Sequence, residues 1–278
     1  MAISASKGTK LLVATDLDAT LLDHQTYSYD AALPAIESLK ANGCPLIFNS
    51  SKTQAEQTVL RAVLNIDDPF ILENGAAVVI PPGQLDHPAD ASKPDIKVFG
   101  QSYGELVDCL ARLRERYGFS FRGFADLAAE ELAELTGLTT DEVIAAKQRL
   151  GTEPLHWTDS ETAYHIFVSE LASLGWQTTQ GGRFRHVMAQ TDKGRALAWL
   201  VDRYQRTFPE IQWQVVALGD SPNDLPMLRI ADISVLIPNP HRDPFEVADI
   251  DRLVRPTQPG PGGWAEAIHE IIRQYLKA

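Results

Sequence analysis

Two aspartates, Asp16 and Asp18, stand one residue apart at the end of the apolar run Lys10–Thr15, and Thr20 follows them. Carboxylates this close repel each other, and each is costly to remove from water. A cation at the same place removes both problems. One carboxylate could then attack a phosphoryl group while its neighbour handles protons. The plainer alternative is a strand-end turn in which Asp18 caps and Asp16 is merely solvated. The pair by itself leaves both readings open.

Three further constellations bear on the choice. Gly219-Asp220-Ser221-Pro222-Asn223-Asp224 follows an apolar strand pattern and opens a helix. Ligands of open α/β sheets bind outside the carboxyl ends of the strands, so Asp16, Asp18, Asp220 and Asp224 would share one edge. Hard oxygens without His or Cys suit Mg²⁺, which keeps waters and shares substrate phosphates. Turn and cap roles for Asp220 and Asn223 are the alternative. Four acids at one edge are harder to explain as caps in a chain of net charge −12. Asn49-Ser50-Ser51-Lys52 ends a second strand pattern, where the Ser50 hydroxyl would face the same edge and hold phosphate oxygens. Ser51 or Thr53 would otherwise simply cap the next helix, and Thr53–Glu56 has the form of a capping box. Thr191-Asp192-Lys193-Gly194 opens another helix. A lysine in a first turn opposes the helix dipole, and either Asp16 or a bound phosphate would compensate it. A solvated surface lysine is the alternative.

The elements that must position these groups alternate from the start. Lys10–Thr15 reads as a strand buried on both faces, followed by a helix over Ala31–Ala41 and a strand over Pro45–Asn49. Strands at Phe70–Leu72 and Ala77–Ile80 flank the turn Glu73-Asn74-Gly75. This is βαβ logic and predicts a doubly wound, Rossmann-like parallel sheet. From Pro81-Pro82-Gly83 the chain is rich in Pro, Asp and Ser, then mixes strands and helices as far as Ala189. This block reads as an inserted α+β domain. The doubly wound pattern resumes with a helix from Lys193, a strand over Trp213–Leu218, a short helix over Asp224–Ile230, a strand over Ile233–Ile237 and a helix over Trp264–Leu276. The predicted organisation is a core of residues 1–82 and 191–278 with a cap of residues 83–190.

A length of 278 residues with 44% apolar and 22% charged residues fits a globular chain of one large or two modest domains. The acidic balance argues against nucleic acid, since no basic stripe exists to meet a phosphate backbone. Cys44 and Cys109 stand far apart and indicate neither a disulfide framework nor a thiolate site. No stretch has the length of a membrane span, and the first residues lack a signal-peptide core, so a cytoplasmic location is expected. The oligomeric state is not legible.

Asp-x-Asp-x-Thr, Ser50, Lys193 and Gly-Asp-x-x-Asn-Asp, in this order, resemble the haloacid dehalogenase-like hydrolase superfamily. The resemblance implies a C2-type cap and a Mg²⁺-dependent reaction. In it Asp16 is the nucleophile that becomes an aspartyl-phosphate, and Asp18 is the acid and base. Ser50 and Lys193 hold the phosphoryl group. The metal lies at Asp16, Asp220 and the main chain of Asp18, while Asp224 either ligates through water or orients Lys193. Ser50-Ser51-Lys52-Thr53, Glu73-Asn74-Gly75-Ala76, Gln180-Gly181-Gly182-Arg183-Phe184 and Gly260-Pro261-Gly262-Gly263-Trp264 look, within the Cof-like branch, like mannosyl-3-phosphoglycerate phosphatases. That narrower resemblance implies a phosphorylated sugar-glycerate substrate contacted by Ser51, Lys52, Glu73, Asn74, Gly181, Gly182 and Arg183. On a strand, Arg183 and Arg185 would share one face with Gly181, and a guanidinium fork suits a glycerate carboxylate; a plain hairpin turn is the alternative. A glucosyl head group, a broad sugar-phosphate preference, transfer to another sugar, and a non-catalytic regulatory protein are the competing readings.

Overall fold

The computed structural model describes residues 8–181, 184–245 and 247–275. Strand β1 (Gly8–Thr15) lies inside a parallel five-stranded sheet. On one side it pairs with β2 (Leu46–Phe48), and on the other with β10 (Ile211–Gly219), beyond which come β11 (Ile233–Leu236) and β12 (Leu253–Val254). Alternation sends its side chains to two cores. Leu11 and Val13 join Ile36 and Leu39 of α1 (Leu33–Ala41) and Trp264 and Ile268 of α9 (Gly260–Tyr275). Leu12 and Ala14 join Leu197 and Leu200 of α7 (Lys193–Thr207) and Met227 of α8 (Leu225–Ile230). A run without polar residues is therefore what this strand needs, and each such side chain stabilises by about 1.5–3 kcal/mol through burial.

The sheet continues through a single bridge, Asn49 to Ile71, to β3 (Phe70–Leu72), which pairs antiparallel with β4 (Ala77–Ile80). Between β2 and β3 lies α2 (Gln54–Leu64), opened by the expected Thr53–Glu56 capping box. The stretch after residue 82 does not leave the core as expected. It returns as β5 (Asp95–Val98), which pairs with β4, and the Phe99 amide donates to the Ala76 carbonyl at 2.8 Å. Arg203 of α7 holds Asp86 at 2.6 Å. Residues 83–99 thus pack with the core, and we place the start of the cap near Gly100.

The cap is an antiparallel sheet of β6 (Phe121–Gly123), β7 (Thr152–Trp157), β9 (Phe184–Ala189) and β8 (Trp176–Gly181), in that order. Two helices, α3 (Tyr103–Tyr117) and α6 (Glu161–Ser173), contribute Leu110, Phe167 and Leu171 to its core. Two short helices, α4 (Ala129–Thr136) and α5 (Thr140–Ala146), close a small cluster of their own around Leu132 and Val143. The α/β core with an inserted α+β cap is as the sequence predicts. Among the described residues no helix is long and apolar enough to cross a membrane.

Helix α9 begins at Gly260 and not at Trp264, because Gly260-Pro261-Gly262-Gly263 winds into its first turn. A side chain at Gly263 would meet the Gln258 carbonyl at 1.9 Å, so the glycine is required by close approach. That tight entry seats Trp264 wholly inside the core, where its Nε1 donates to Thr15 Oγ1 at 3.0 Å. Thr15 Oγ1 in turn donates to the Asp16 carbonyl at 2.7 Å. Trp264→Ala should lower stability by about 3–5 kcal/mol through the cavity and the lost bond, as measured by equilibrium urea unfolding.

Candidate active site

Three core loops and the first turn of α7 converge at the carboxyl edge of the sheet. Asp16 is the first residue beyond β1, and its amide donates to the Leu218 carbonyl of β10 at 2.9 Å. Its carboxylate Oδ1 accepts from Lys193 Nζ at 2.7 Å. Lys193 is 1% exposed, and its Nζ also donates to Asp224 Oδ1 at 2.5 Å. The helix carrying it is fixed on two sides. Asp192 caps it by accepting from the Arg195 amide at 2.8 Å, and Asn49 Nδ2 donates to the Lys193 carbonyl at 3.0 Å. A fully buried ammonium is unfavourable unless paired, and two carboxylates pair this one. Burial by itself would lower its pKa, but Asp16 and Asp224 hold it above the ordinary lysine value.

Asp224 is tied both to its own turn and to Lys193. Its Oδ2 accepts from the amides of Asp220 and Ser221, both at 3.0 Å, and from Ser221 Oγ at 3.1 Å, while Oδ1 holds Lys193. Both oxygens are engaged. Asp220 sits 4% exposed with Thr20 Oγ1 donating to Oδ1 at 2.9 Å and Asn239 Nδ2 donating to Oδ2 at 2.7 Å.

Asp16, Asp220 and Asp224 can each bring a carboxylate oxygen within 4.8 Å of the others. Lys193 is the ammonium placed among these three buried acids. Burial pushes the Asp16 carboxyl well above its ordinary value; Lys193 pulls it back, and Asp224, Asp220 and Asp18 push it up further. Burial and the Asp224 charge likewise raise Asp220. A pair of like charges at 4 Å costs about 4 kcal/mol at an effective dielectric of 20. An all-oxygen set with this surplus of negative charge fits a hard divalent cation, and Asp16, Asp220 and Asp224 are the carboxylates that could hold it.

Asp18 stands apart from this cluster. Its carboxylate is partly exposed and pairs with Lys52 Nζ at 3.0 Å. The turn that carries it is closed by the Thr20 and Leu22 amides, which donate to the Leu17 carbonyl at 3.2 and 2.8 Å, with Ala19 in a left-handed conformation at φ 61°. Burial alone would lower the Lys52 pKa, but Asp18 and then Glu56 outweigh it and hold Lys52 above the usual value. Ser50 is fully buried beyond β2, with its hydroxyl accepting from the Lys52 amide at 3.3 Å. Asn74 is 2% exposed; its Oδ1 accepts from Asn223 Nδ2 at 3.1 Å, and its Nδ2 has no hydrogen-bond partner among the described residues. Asn74, Lys193 and Asn223 line a cleft of about 470 Å³, whose other wall includes Gln177 and Thr179 of β8.

Two expectations, for Glu73 and Arg185, differ from this picture. Glu73 is not available to substrate: it is fully buried and its carboxylate is spent on the cap segment Leu150–Thr152. The carbonyl of Ser51 accepts from Arg149 Nη2 at 3.1 Å. Arg185, read as sharing a ligand-facing side with Gly181, holds Glu161 at 2.8 Å and lies over the Tyr164 ring at 3.5 Å. Gly181 pairs with Phe184 across the β8–β9 hairpin, while Gly182 and Arg183 lie outside the described residues. Sequence reasoning gave no role to Thr20, Asn49, Arg149 or Asn239. Asn239 could have been found, since it is the polar residue between two prolines just past the end of β11 at the functional edge.

The fold and site together define a haloacid dehalogenase-like hydrolase: the model of that family matches residues 13–99 and 152–251, and the chain belongs to it. A glucosyl-3-phosphoglycerate/mannosyl-3-phosphoglycerate phosphatase of Persephonella marina is 35% identical over 269 residues, which is 95% of this chain and 98% of that protein. A protein of the same description from Methanococcoides burtonii is 38% identical over 267 residues, covering 95% and 97%. A crystal structure from Thermoplasma acidophilum matches 97% of this chain and 99% of its own, with a TM-score of 0.66 at 19% identity, and shares the fold.

Asp224→Asn leaves an amide facing the ammonium of Lys193 and turns a donor towards the Asp220 and Ser221 amides. It should cost about 3 kcal/mol or more, as for other broken buried ion pairs. Urea unfolding checks it, and an unchanged midpoint would show that Asp16 alone is enough for Lys193.

Proposed function

We propose that the protein is a Mg²⁺-dependent phosphatase of glycosyl-3-phosphoglycerates, acting on mannosyl-3-phosphoglycerate to give mannosylglycerate and phosphate in the cytoplasm. The observation that carries this reading is the division between two neighbouring aspartates. Asp16 is buried against an ammonium, and Asp18 stands outside the cluster at the solvent side. A nucleophile and a proton carrier need those two settings.

In this mechanism an oxygen of Asp16 attacks phosphorus in line with the bond to the glycerate oxygen. That bond breaks, and the departing oxygen takes a proton from Asp18. Asp18 then takes a proton from water, whose oxygen attacks the phosphorus of the aspartyl-phosphate, releasing phosphate and restoring the Asp16 carboxylate. Lys193 and Ser50 hold the phosphoryl oxygens, and Lys52 fixes the position of Asp18. Such a transfer is driven chiefly by positioning and by neutralising charge on the three equatorial oxygens. Mg²⁺, held by Asp16, Asp220 and the main chain of Asp18, supplies further positive charge to those oxygens when bound. The cleft between β8 and the core loops is polar and suits a glycosylglycerate, and the Asn74 amide is a candidate donor to it.

A second reading, that the glucosyl ester is cleaved equally well, is favoured by both relatives, whose descriptions carry both substrates. Phosphate release from mannosyl-, glucosyl- and simple sugar phosphates decides between these readings. A profile flat across all three would remove the glycosylglycerate assignment. Asp16→Asn should lower kcat by at least about 10³-fold, as removal of a nucleophile does, and substantial retained turnover would sink the proposed role. Chelation of divalent metal should abolish activity. MgCl₂ at about 100 times its Kd should stabilise the wild type by about 2.7 kcal/mol, an effect that Asp220→Asn should lose in thermal melts.

A further inference from the structure

Glu73, Asn74 and Gly75 occupy three successive left-handed conformations, at φ 50°, 58° and 93°. The first of these is unusual for a glutamate, and such strain persists only where surrounding bonds over-determine the backbone. Those bonds are present. The Glu73 amide donates to the Lys52 carbonyl at 3.1 Å and the Asn74 amide to the Ser50 carbonyl at 2.9 Å, tying the turn to the phosphate loop. Thr191 Oγ1 donates to the Gly75 carbonyl at 3.1 Å, tying it to the segment that returns from the cap.

The Glu73 side chain reaches further into the cap. Its Oε1 accepts from the Leu150 amide at 2.8 Å. Its Oε2 accepts from the amides of Gly151 and Thr152 at 3.1 and 2.9 Å, and from Thr152 Oγ1 at 2.9 Å. Arg149, 8% exposed, reads the same junction from the cap side. Its guanidinium donates to the carbonyls of Ala146, Thr152 and Ser51 at 3.0, 2.8 and 3.1 Å, and its Nε lies 3.7 Å from Glu73 Oε2. Thr53 Oγ1 adds a bond to the Ala145 carbonyl at 2.9 Å. The cap therefore meets the core at a third place besides its two chain crossings, and that place is bonded directly to the phosphate loop.

We propose that Glu73 and Arg149 are positioning residues, a latch that seats the α4–α5 lobe of the cap on the phosphate loop and so favours phosphate esters large enough to touch the cap. Neither side chain meets the reacting atoms. They act by fixing Ser50–Lys52 and the cleft wall relative to each other, and an ångström of misplacement at such a junction is costly for a substrate held at both ends. A small ester, held by the core alone, does not sense the cap.

Two measurements on the full-length protein test this. Hydrogen exchange of peptides spanning 147–153 needs no catalysis: the wild type should protect the Leu150, Gly151 and Thr152 amides, and Arg149→Lys and Glu73→Gln should lose that protection. The selectivity arm rests on the phosphatase reading. For both variants kcat/KM with mannosyl-3-phosphoglycerate should fall by about 10- to 100-fold, mostly through KM, while that with acetyl phosphate should change by less than about twofold. Arg149→Lys keeps the charge but cannot bond Ser51 and Thr152 together, which makes it the milder variant if Glu73→Gln fails to fold. Fast exchange of 150–152 in the wild type, or equal loss on both esters, would overturn the latch. A wild type that cleaves neither ester sinks the phosphatase reading instead and leaves the exchange result to decide the latch.

Discussion

A buried ammonium among buried acids sets the terms for the rest of this structure. Lys193 lies wholly inside the protein, and removing a charge from water costs several kcal/mol unless partners return it. Its partners, Asp16 and Asp224, come from loops 177 and 31 residues away. The sheet must therefore bring β1, β10 and the start of α7 to one point before the pairing can form. Strands buried on both faces do this: apolar runs in β1 and β10 lock the register, and the acids emerge together at its end. The pairing then leaves an excess of negative charge that Lys193 alone cannot neutralise. The same imbalance that destabilises the cluster suits it to a hard cation.

Much of this was legible in the sequence, for identifiable reasons. The core strands show as continuous apolar runs, and Asp16, Asp18, Ser50, Lys193 and Asp220 each fall just beyond a strand or at the start of a helix, where α/β sheets collect function. What escaped depends on direction or distance. The task of Asp224 is fixed by the amides of its own turn, which absorb one oxygen and aim the other at Lys193. Spacing does not reveal that. Glu73 stands beside Asn74 at the functional edge and so reads as a ligand contact, yet its first partner lies 77 residues on. Arg149 belongs to a stretch with an ordinary helical pattern, and no local feature sets it apart. The two residues of β12 and the glycine-led start of α9 escaped because tertiary packing, not propensity, makes them.

The boundary between core and cap follows the same logic. Pro81-Pro82-Gly83 looks like an exit from the domain, because proline and glycine punctuate most chains in that way. Here the excursion returns as β5 to cover β4, which would otherwise be an edge with unpaired backbone groups. The core thus completes its own sheet before the cap begins, and the cap builds a separate sheet with its own core of Leu110, Leu155 and Phe167. The side-chain hydrogen bonds that pass between them include Thr53 to Ala145, Arg149 to Ser51, and Glu73 to Leu150–Thr152.

Polar junctions are directional, and this one is concentrated on a strained turn. A carboxylate that accepts four hydrogen bonds in a dry site is held far more tightly than an exposed pair, because no water competes for its donors. That grip is what the left-handed backbone at Glu73 and Asn74 requires. The turn cannot relax without giving up the cap, and the cap cannot shift without pulling on the turn. Since the same turn takes the amides of Glu73 and Asn74 to the carbonyls of Lys52 and Ser50, the strain is shared with the Ser50–Lys52 loop. That loop is also held from the sheet, by the Asn49 amide on the Thr15 carbonyl at 2.8 Å and the Ser50 amide on the Ile71 carbonyl at 3.3 Å, so what the junction with the cap adds is the seat of the cap over the cleft.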